Sequence, residues 1–189
     1  MDYMQSALAG DLERIIVAEE DIGRRVRELA GQITRHYQSQ NITELVVVGI
    51  LRGAVIFMSD LIRLLPFDIT FDFMAISSYG DRTQSSGIVR INKDISDSIE
   101  GKHVLIIEDI IDTGTTMSSL MEVLRTRKPH SLAICALLDK PSRRQTKIEA
   151  DFCGFAIPDE FVVGYGLDFA GKYRHLPCIG VLKPEKYRE

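Results

Sequence analysis

An α/β fold with a mostly parallel central sheet flanked by helices is predicted by three features of this sequence. Short apolar runs alternate with amphipathic helical stretches, the most apolar runs suit strands buried on both faces, and polar residues collect where those strands end. The clearest unit spans residues 104–124. Val104, Leu105, Ile106 and Ile107 form a strand-like run, Glu108, Asp109 and Asp112 follow, and Thr113, Gly114, Thr115 and Thr116 make a small hydroxyl-rich turn. Met117, Leu120, Met121 and Leu124 then recur at helical spacing, which predicts a strand, loop and helix in succession.

The remaining elements fit the same alternation. Residues 15–17 read as a short strand, and 18–37 as an amphipathic helix with Ile22, Val26, Leu29, Ile33 and Tyr37 on one face. Glu19, Glu20 and Asp21 load its first turn, where negative charge complements the helix dipole. Residues 44–50 predict a buried strand, 53–65 an apolar-rich helix, and 68–77 a strand alternating through Ile69, Phe71 and Phe73. Lys128 and Pro129 stop the helix of the central unit, and 131–138 is the next strand. Beyond Asp151 the pattern changes to short strands and turns, including 161–163 and 178–182. The expectation is one domain over residues 1–189, with a core over about 40–145 and a hood formed by 1–17 and 150–189.

Composition narrows the class. A chain of 189 residues with 45% hydrophobic and 26% charged content can bury a substantial single core. The net charge of -4 argues against broad electrostatic binding of nucleic acid, so an anionic ligand must be held by local donors or a cation. Cys135, Cys153 and Cys178 are odd in number and lack metal-ligand spacing, which predicts free thiols in a reducing cytoplasm. His36, His103, His130 and His175 show neither metal-ligand nor triad spacing. The first residues have neither a basic segment nor an apolar one, and no apolar run approaches membrane-spanning length, so no membrane association is expected.

Function is concentrated at the strand ends. A helix N-terminus offers free N–H groups and a positive dipole end, so residues 113–116 read as a phosphate cradle. Glu108 and Asp109 would repel a bare phosphate there, but they can accept hydrogen bonds from vicinal hydroxyls or hold a hard cation. A sugar phosphate satisfies both halves. The plainer reading is an ordinary acidic strand end with Asp112 capping the helix.

Leu51, Arg52 and Gly53 stand at another strand end, where Gly53 lets the backbone approach a ligand closely. The polar stretch over residues 77–91 is long for a tight connection and reads as a lid that excludes water, or as an exposed hairpin. Lys140 ends a further strand and can donate to an exocyclic carbonyl oxygen, although a lysine in that position also suits a solvated turn.

Two carboxylates, two bulky apolar residues, a third carboxylate and Thr-Gly-Thr-Thr together resemble the phosphoribosyl diphosphate (PRPP) motif of the type I phosphoribosyltransferases. The resemblance covers about residues 15–187 and rests on segments 51–53, 77–80, 104–116, 138–141 and 158–174, in that family's order. It is specifically similar to the hypoxanthine-guanine branch and implies the type I phosphoribosyltransferase fold. The implied activity is purine salvage: transfer of the 5-phosphoribosyl group of PRPP to N9 of hypoxanthine or guanine, giving IMP or GMP and pyrophosphate with magnesium.

On that resemblance Glu108 and Asp109 hold the ribose hydroxyls and metal, Asp112 accepts a proton at N7, and Thr113, Gly114, Thr115 and Thr116 bind the 5-phosphate. Thr115 stands where several relatives carry a longer side chain. Leu51, Arg52 and Gly53 form the pyrophosphate loop, with a non-proline cis bond implied and Arg52 where Lys is common. Arg174 also contacts pyrophosphate, and Ser78 and Tyr79 belong to the lid. Lys140 reads O6 of the purine, Phe161 stacks on its ring, the Val162 backbone meets its edge, and Asp168 helps hold a second metal. A homodimer or homotetramer in the cytoplasm is also implied. The competing reading is a regulator that keeps the PRPP-binding fold as an effector sensor controlling RNA or DNA. The acidic balance, Lys140 and residues 161–168 favour the enzyme.

Overall fold

The computed structural model describes residues 9–78 and 89–187. A six-stranded sheet runs in the order β4 (Val89–Lys93), β3 (Asp68–Ser78), β2 (Glu44–Leu51), β5 (His103–Ile111), β6 (Ser131–Asp139), β7 (Phe152–Ala156). All neighbours pair in parallel except β4, which returns antiparallel to β3. The order reverses direction between β2 and β5. At such a switch point two strand ends diverge and leave a crevice, the usual place for a ligand in an open α/β sheet.

Helices cover both faces, as the alternation predicts. On β5, Leu105 and Ile107 face one core with Leu29 and Ile33 of α1 (Glu19–Gln38) and Phe57, Met58 and Leu61 of α2 (Val55–Ile62). Val104 and Ile106 point the other way, into a second core with Leu120, Met121 and Leu124 of α3 (Thr115–Arg125). All four strand residues are fully buried. Burying a side chain of this size contributes roughly 1.5–3 kcal/mol, so the central strand is anchored from both sides. Its C-terminal end can therefore project polar groups without loosening the sheet.

A separate three-stranded antiparallel sheet, β1 (Leu12–Val17), β9 (Ile179–Leu182) and β8 (Val162–Val163), forms the hood. The Tyr165 hydroxyl donates to Asp60 Oδ2 at 2.7 Å and ties the hood to α2. The hood differs from expectation at one boundary. β7 pairs in parallel with β6, so the hood begins after residue 156 rather than at 150. The second helix is also shorter than its apolar content suggests, because residues 52–54 form the turn that enters it and residues 63–64 the turn that leaves it.

Candidate active site

The switch point brings the end of β5 against the end of β2. Glu108 and Asp109 lie within β5, and Asp112 is the first residue beyond it. One Glu108 oxygen, Oε2, is enclosed and has no hydrogen-bond partner. Burial, and the Asp109 carboxylate beside it, push the Glu108 carboxyl well above the ordinary carboxylate range. Burial also raises Asp109, while the Ile110 amide and Arg174 pull it back. The pair thus has an unmet demand for positive charge. Oxygen donors of this kind suit Mg²⁺, which keeps water and substrate oxygens among its ligands. Among the described residues no group of three or more His, Cys, Asp or Glu stands ready to cage a metal, so two carboxylates and a substrate are the fitting donor set.

Residues 112–114 bend the chain into α3, whose first turn holds Thr115 and Thr116. Gly114, the residue before α3, has φ 80° and no side chain with which to cap the helix, whose first amides have no partner in the preceding turn of helix. A Cβ at Gly114 would meet Thr146 Oγ1 and Ile148 Cγ2 at 2.5 Å, so the left-handed turn and its packing both require glycine. The Thr115 amide donates to Thr113 Oγ1 at 3.4 Å, and the Thr113 hydroxyl reaches Thr115 Oγ1 at 3.3 Å. Thr116 is exposed on the first turn of α3. A cavity of about 180 Å³ opens over Glu108, Ile110, Asp112, Thr113, Gly114 and Thr116.

The β2 end supplies the second wall. Leu51 to Arg52 is a cis peptide, Arg52 is exposed and Gly53 is buried. Gly53 lies directly on Asp109, since a Cβ there would fall inside its carboxylate. From the hood, Gly166 packs on the Gly53 carbonyl, whose oxygen would lie 2.0 Å from a Cβ at Gly166. Arg174 donates to the Gly166 carbonyl at 2.6 Å and pairs with Asp168 at 2.5 Å. Residues 51–53, Asp109 and Arg174 therefore form one cluster. Asp168 stands in it as the partner of Arg174 and of the Gly171 amide, not as a third carboxylate beside Glu108 and Asp109.

A larger cavity, about 500 Å³, is lined by Ile110, Asp112, Lys140, Arg143, Phe161 and Val162 together with Asp159, Glu160, Leu167 and Tyr187. Lys140 is only 7% exposed and its Nζ lies 3.8 Å from Asp159 Oδ1. Val162 is buried, whereas Phe161 is 37% exposed. The Tyr187 ring stacks on Phe161 with centroids 4.7 Å apart and planes 19° from parallel. Ser78 ends β3, and Tyr79, with the rest of 79–88, lies outside the described residues.

Sequence reasoning overlooked two arginines. Arg143 Nε lies 2.6 Å from Asp112 Oδ1, and its Nη1 lies 3.3 Å from Asp159. Arg144 donates through Nη1 to the Asp112 carbonyl at 2.6 Å and through Nη2 to Asp139. The one signal was their place, soon after Lys140 and Pro141 at a ligand-facing strand end. The two cavities meet at Ile110 and Asp112. An anion cradle with an acidic pair thus opens onto a half-apolar slot holding Lys140, Arg143 and the rings of Phe161 and Tyr187.

Known proteins match this arrangement. The model of the phosphoribosyl transferase domain matches residues 15–170. A hypoxanthine-guanine phosphoribosyltransferase of Bacillus subtilis (strain 168) is 52% identical over 177 residues, covering 94% of this chain and 97% of that protein. One from Staphylococcus aureus (strain Mu50) is 54% identical over 177 residues, with the same coverage of both chains. The crystal structure of a hypoxanthine phosphoribosyltransferase from Staphylococcus aureus superposes with a TM-score of 0.94 at 52% identity, covering 98% of this chain and 100% of that one. The chain belongs to the phosphoribosyltransferase family and, within it, to the hypoxanthine-guanine branch.

Proposed function

We propose that the protein is a purine-salvage transferase that moves the 5-phosphoribosyl group of PRPP to N9 of hypoxanthine or guanine, releasing pyrophosphate and giving IMP or GMP. The observation that carries this reading is the meeting of the two cavities at Ile110 and Asp112. The ribose phosphate fits one and the base the other, so the carbon that changes partners lies where they join.

In this reading the 113–116 amides and hydroxyls hold the 5-phosphate. Glu108 and Asp109 accept hydrogen bonds from the ribose hydroxyls and hold Mg²⁺, with Asp168 helping to hold a second ion. When bound, Mg²⁺ neutralises the diphosphate and polarises its departing oxygen. Residues 51–53 and Arg174 receive the pyrophosphate, which keeps negative charge beside a ribose that becomes cationic as the bond breaks. Lys140 donates to O6, Phe161 stacks on the ring, and the Val162 backbone meets its edge. Asp112 takes the N7 proton as N9 attacks.

The reading extends to a cytoplasmic homodimer or homotetramer. It is supported by Cys135, Cys153 and Cys178, none of which forms a disulfide, and by the exposed apolar side chains of Val55 and Leu64 around α2. No helix among the described residues is long and apolar enough to cross a membrane. Sedimentation over a concentration series measures the assembly.

Pyrophosphate release, followed with PRPP, Mg²⁺ and each of hypoxanthine, guanine, xanthine and adenine, tests the activity. Turnover with hypoxanthine and guanine and none with adenine is expected. Equal turnover with adenine, or no pyrophosphate from any base, would refute the reading.

A further inference from the structure

We infer that Arg144 is a positioning residue that sets the phosphate turn by holding its first carbonyl, and that it links this turn to the strand end carrying Lys140. The inference rests on the functional reading above, in which residues 113–116 receive the 5-phosphate.

Three contacts define the role. Nη1 of Arg144 donates to the Asp112 carbonyl at 2.6 Å, Nη2 donates to the Asp139 carboxylate, and the side-chain stem packs on the turn, since a Cβ at Gly114 would meet Cδ at 3.1 Å. The Arg144 side chain is 14% exposed and that of Asp139 20%, so solvent competes little with this pairing. The planar guanidinium makes both bonds with one fixed spacing, which a lysine cannot copy. The next residue continues the brace, because the Gln145 amide donates to the Thr113 carbonyl at 2.9 Å. Two successive carbonyls before α3 are therefore tied to one segment, residues 144–145.

The consequence for chemistry is directional. The Asp112 carbonyl belongs to the same peptide as the Thr113 amide, so fixing the one fixes the other. The amides that follow are then aimed at one point rather than fanned. Asp139 precedes Lys140, whose own amide donates to the Ile111 carbonyl at 2.9 Å. The 139–145 loop therefore grips the phosphate turn at Ile111, Asp112 and Thr113 while its Lys140 side chain lines the base cavity. Arg144 itself lines neither cavity. It acts through the backbone of Asp112 and Thr113.

Steady-state constants for the wild type, Arg144→Met, Arg144→Lys and Asp139→Asn, each with Mg²⁺ and with melting temperatures taken in parallel, test the assignment. Misplacement of a binding group by an ångström can cost up to about a hundredfold, so Arg144→Met should raise the PRPP KM and lower kcat about tenfold each. The hypoxanthine KM should stay within about twofold. Arg144→Lys, reaching one partner, should recover part of the loss. If Arg144→Met does not fold, Asp139→Asn carries the test, with the same split at smaller size expected and an unchanged PRPP KM overturning it. A competent wild type with both KM values raised alike in Arg144→Met, or with neither changed, overturns the inference alone. A wild type that releases no pyrophosphate from PRPP overturns the functional reading and this inference with it.

Discussion

Gly53 stands so close to Asp109 that any side chain at residue 53 would occupy the space of the Asp109 carboxylate. One backbone position thus joins the β2 end to the acidic pair of β5. Gly53→Ala should displace Asp109 and lower kcat/KM for PRPP by about a hundredfold, the scale expected when reacting groups shift by an ångström. Steady-state kinetics beside a melting curve separate this from unfolding. Full activity in Gly53→Ala would show that the two strand ends do not work as one site.

Glu108 ties stability to pH with a definite sign. Its carboxyl is raised above the ordinary value of 4.5 by burial and by Asp109. The folded chain therefore keeps a proton that the unfolded chain has released, and stability falls as pH rises from about that value towards the raised one. Glutamine cannot ionise. In EDTA, Glu108→Gln should melt at a higher temperature than the wild type, with the difference growing from pH 5 to pH 8. Turnover with Mg²⁺ should fall by about a hundredfold or more, because an oxygen donor that would ionise on holding the metal is replaced by a neutral amide. A melting difference that is constant with pH would contradict the burial argument.

Asp112 should be separable from binding. Its ion pair with Arg143 joins side chains that are 40% and 43% exposed, so it contributes little to stability. Asp112→Asn should melt close to the wild type, keep a nearly unchanged PRPP KM, and lose about a hundredfold or more in kcat. Rapid-quench and steady-state rates would check this. Unchanged turnover would remove Asp112 from proton transfer.

Lys140 bears on base selection. Among the described residues its buried ammonium has one anionic neighbour within 4 Å, Asp159 at 3.8 Å, and its side chain lines the cavity. Lys140→Met keeps the apolar stem and removes the donor. Losing a buried hydrogen bond to a charged group costs about 1.5–3 kcal/mol, so kcat/KM for hypoxanthine and guanine should fall roughly ten- to a hundredfold. Adenine, followed by its inhibition constant against hypoxanthine, should bind with little change. An equal loss for every base would make the lysine structural.

The site was legible where chemistry is local in the chain. The 104–116 segment names its own strand, acids, turn and helix, because β-branched residues, carboxylates and a glycine follow one another without interruption. Gly53 was legible as a close-approach glycine, although the group it approaches, Asp109, lies 56 positions away along the chain, which no local pattern reports. The same applies to Arg143, with its partners Asp112 and Asp159, and to the bond between Arg144 and the Asp112 carbonyl, which join segments distant in the chain. Phe152–Ala156 was read as hood because a five-residue strand containing glycine and cysteine has little strand character of its own, and its place in the core sheet comes from pairing with β6. Tyr187 on Phe161 is a contact between hood segments that sequence spacing does not encode.

The most direct test is a crystal structure with IMP and Mg²⁺ bound. The account predicts the 5-phosphate on residues 113–116, the ribose hydroxyls over Glu108 and Asp109, and the base between Lys140 and Phe161. A nucleotide bound anywhere else on the chain would contradict it.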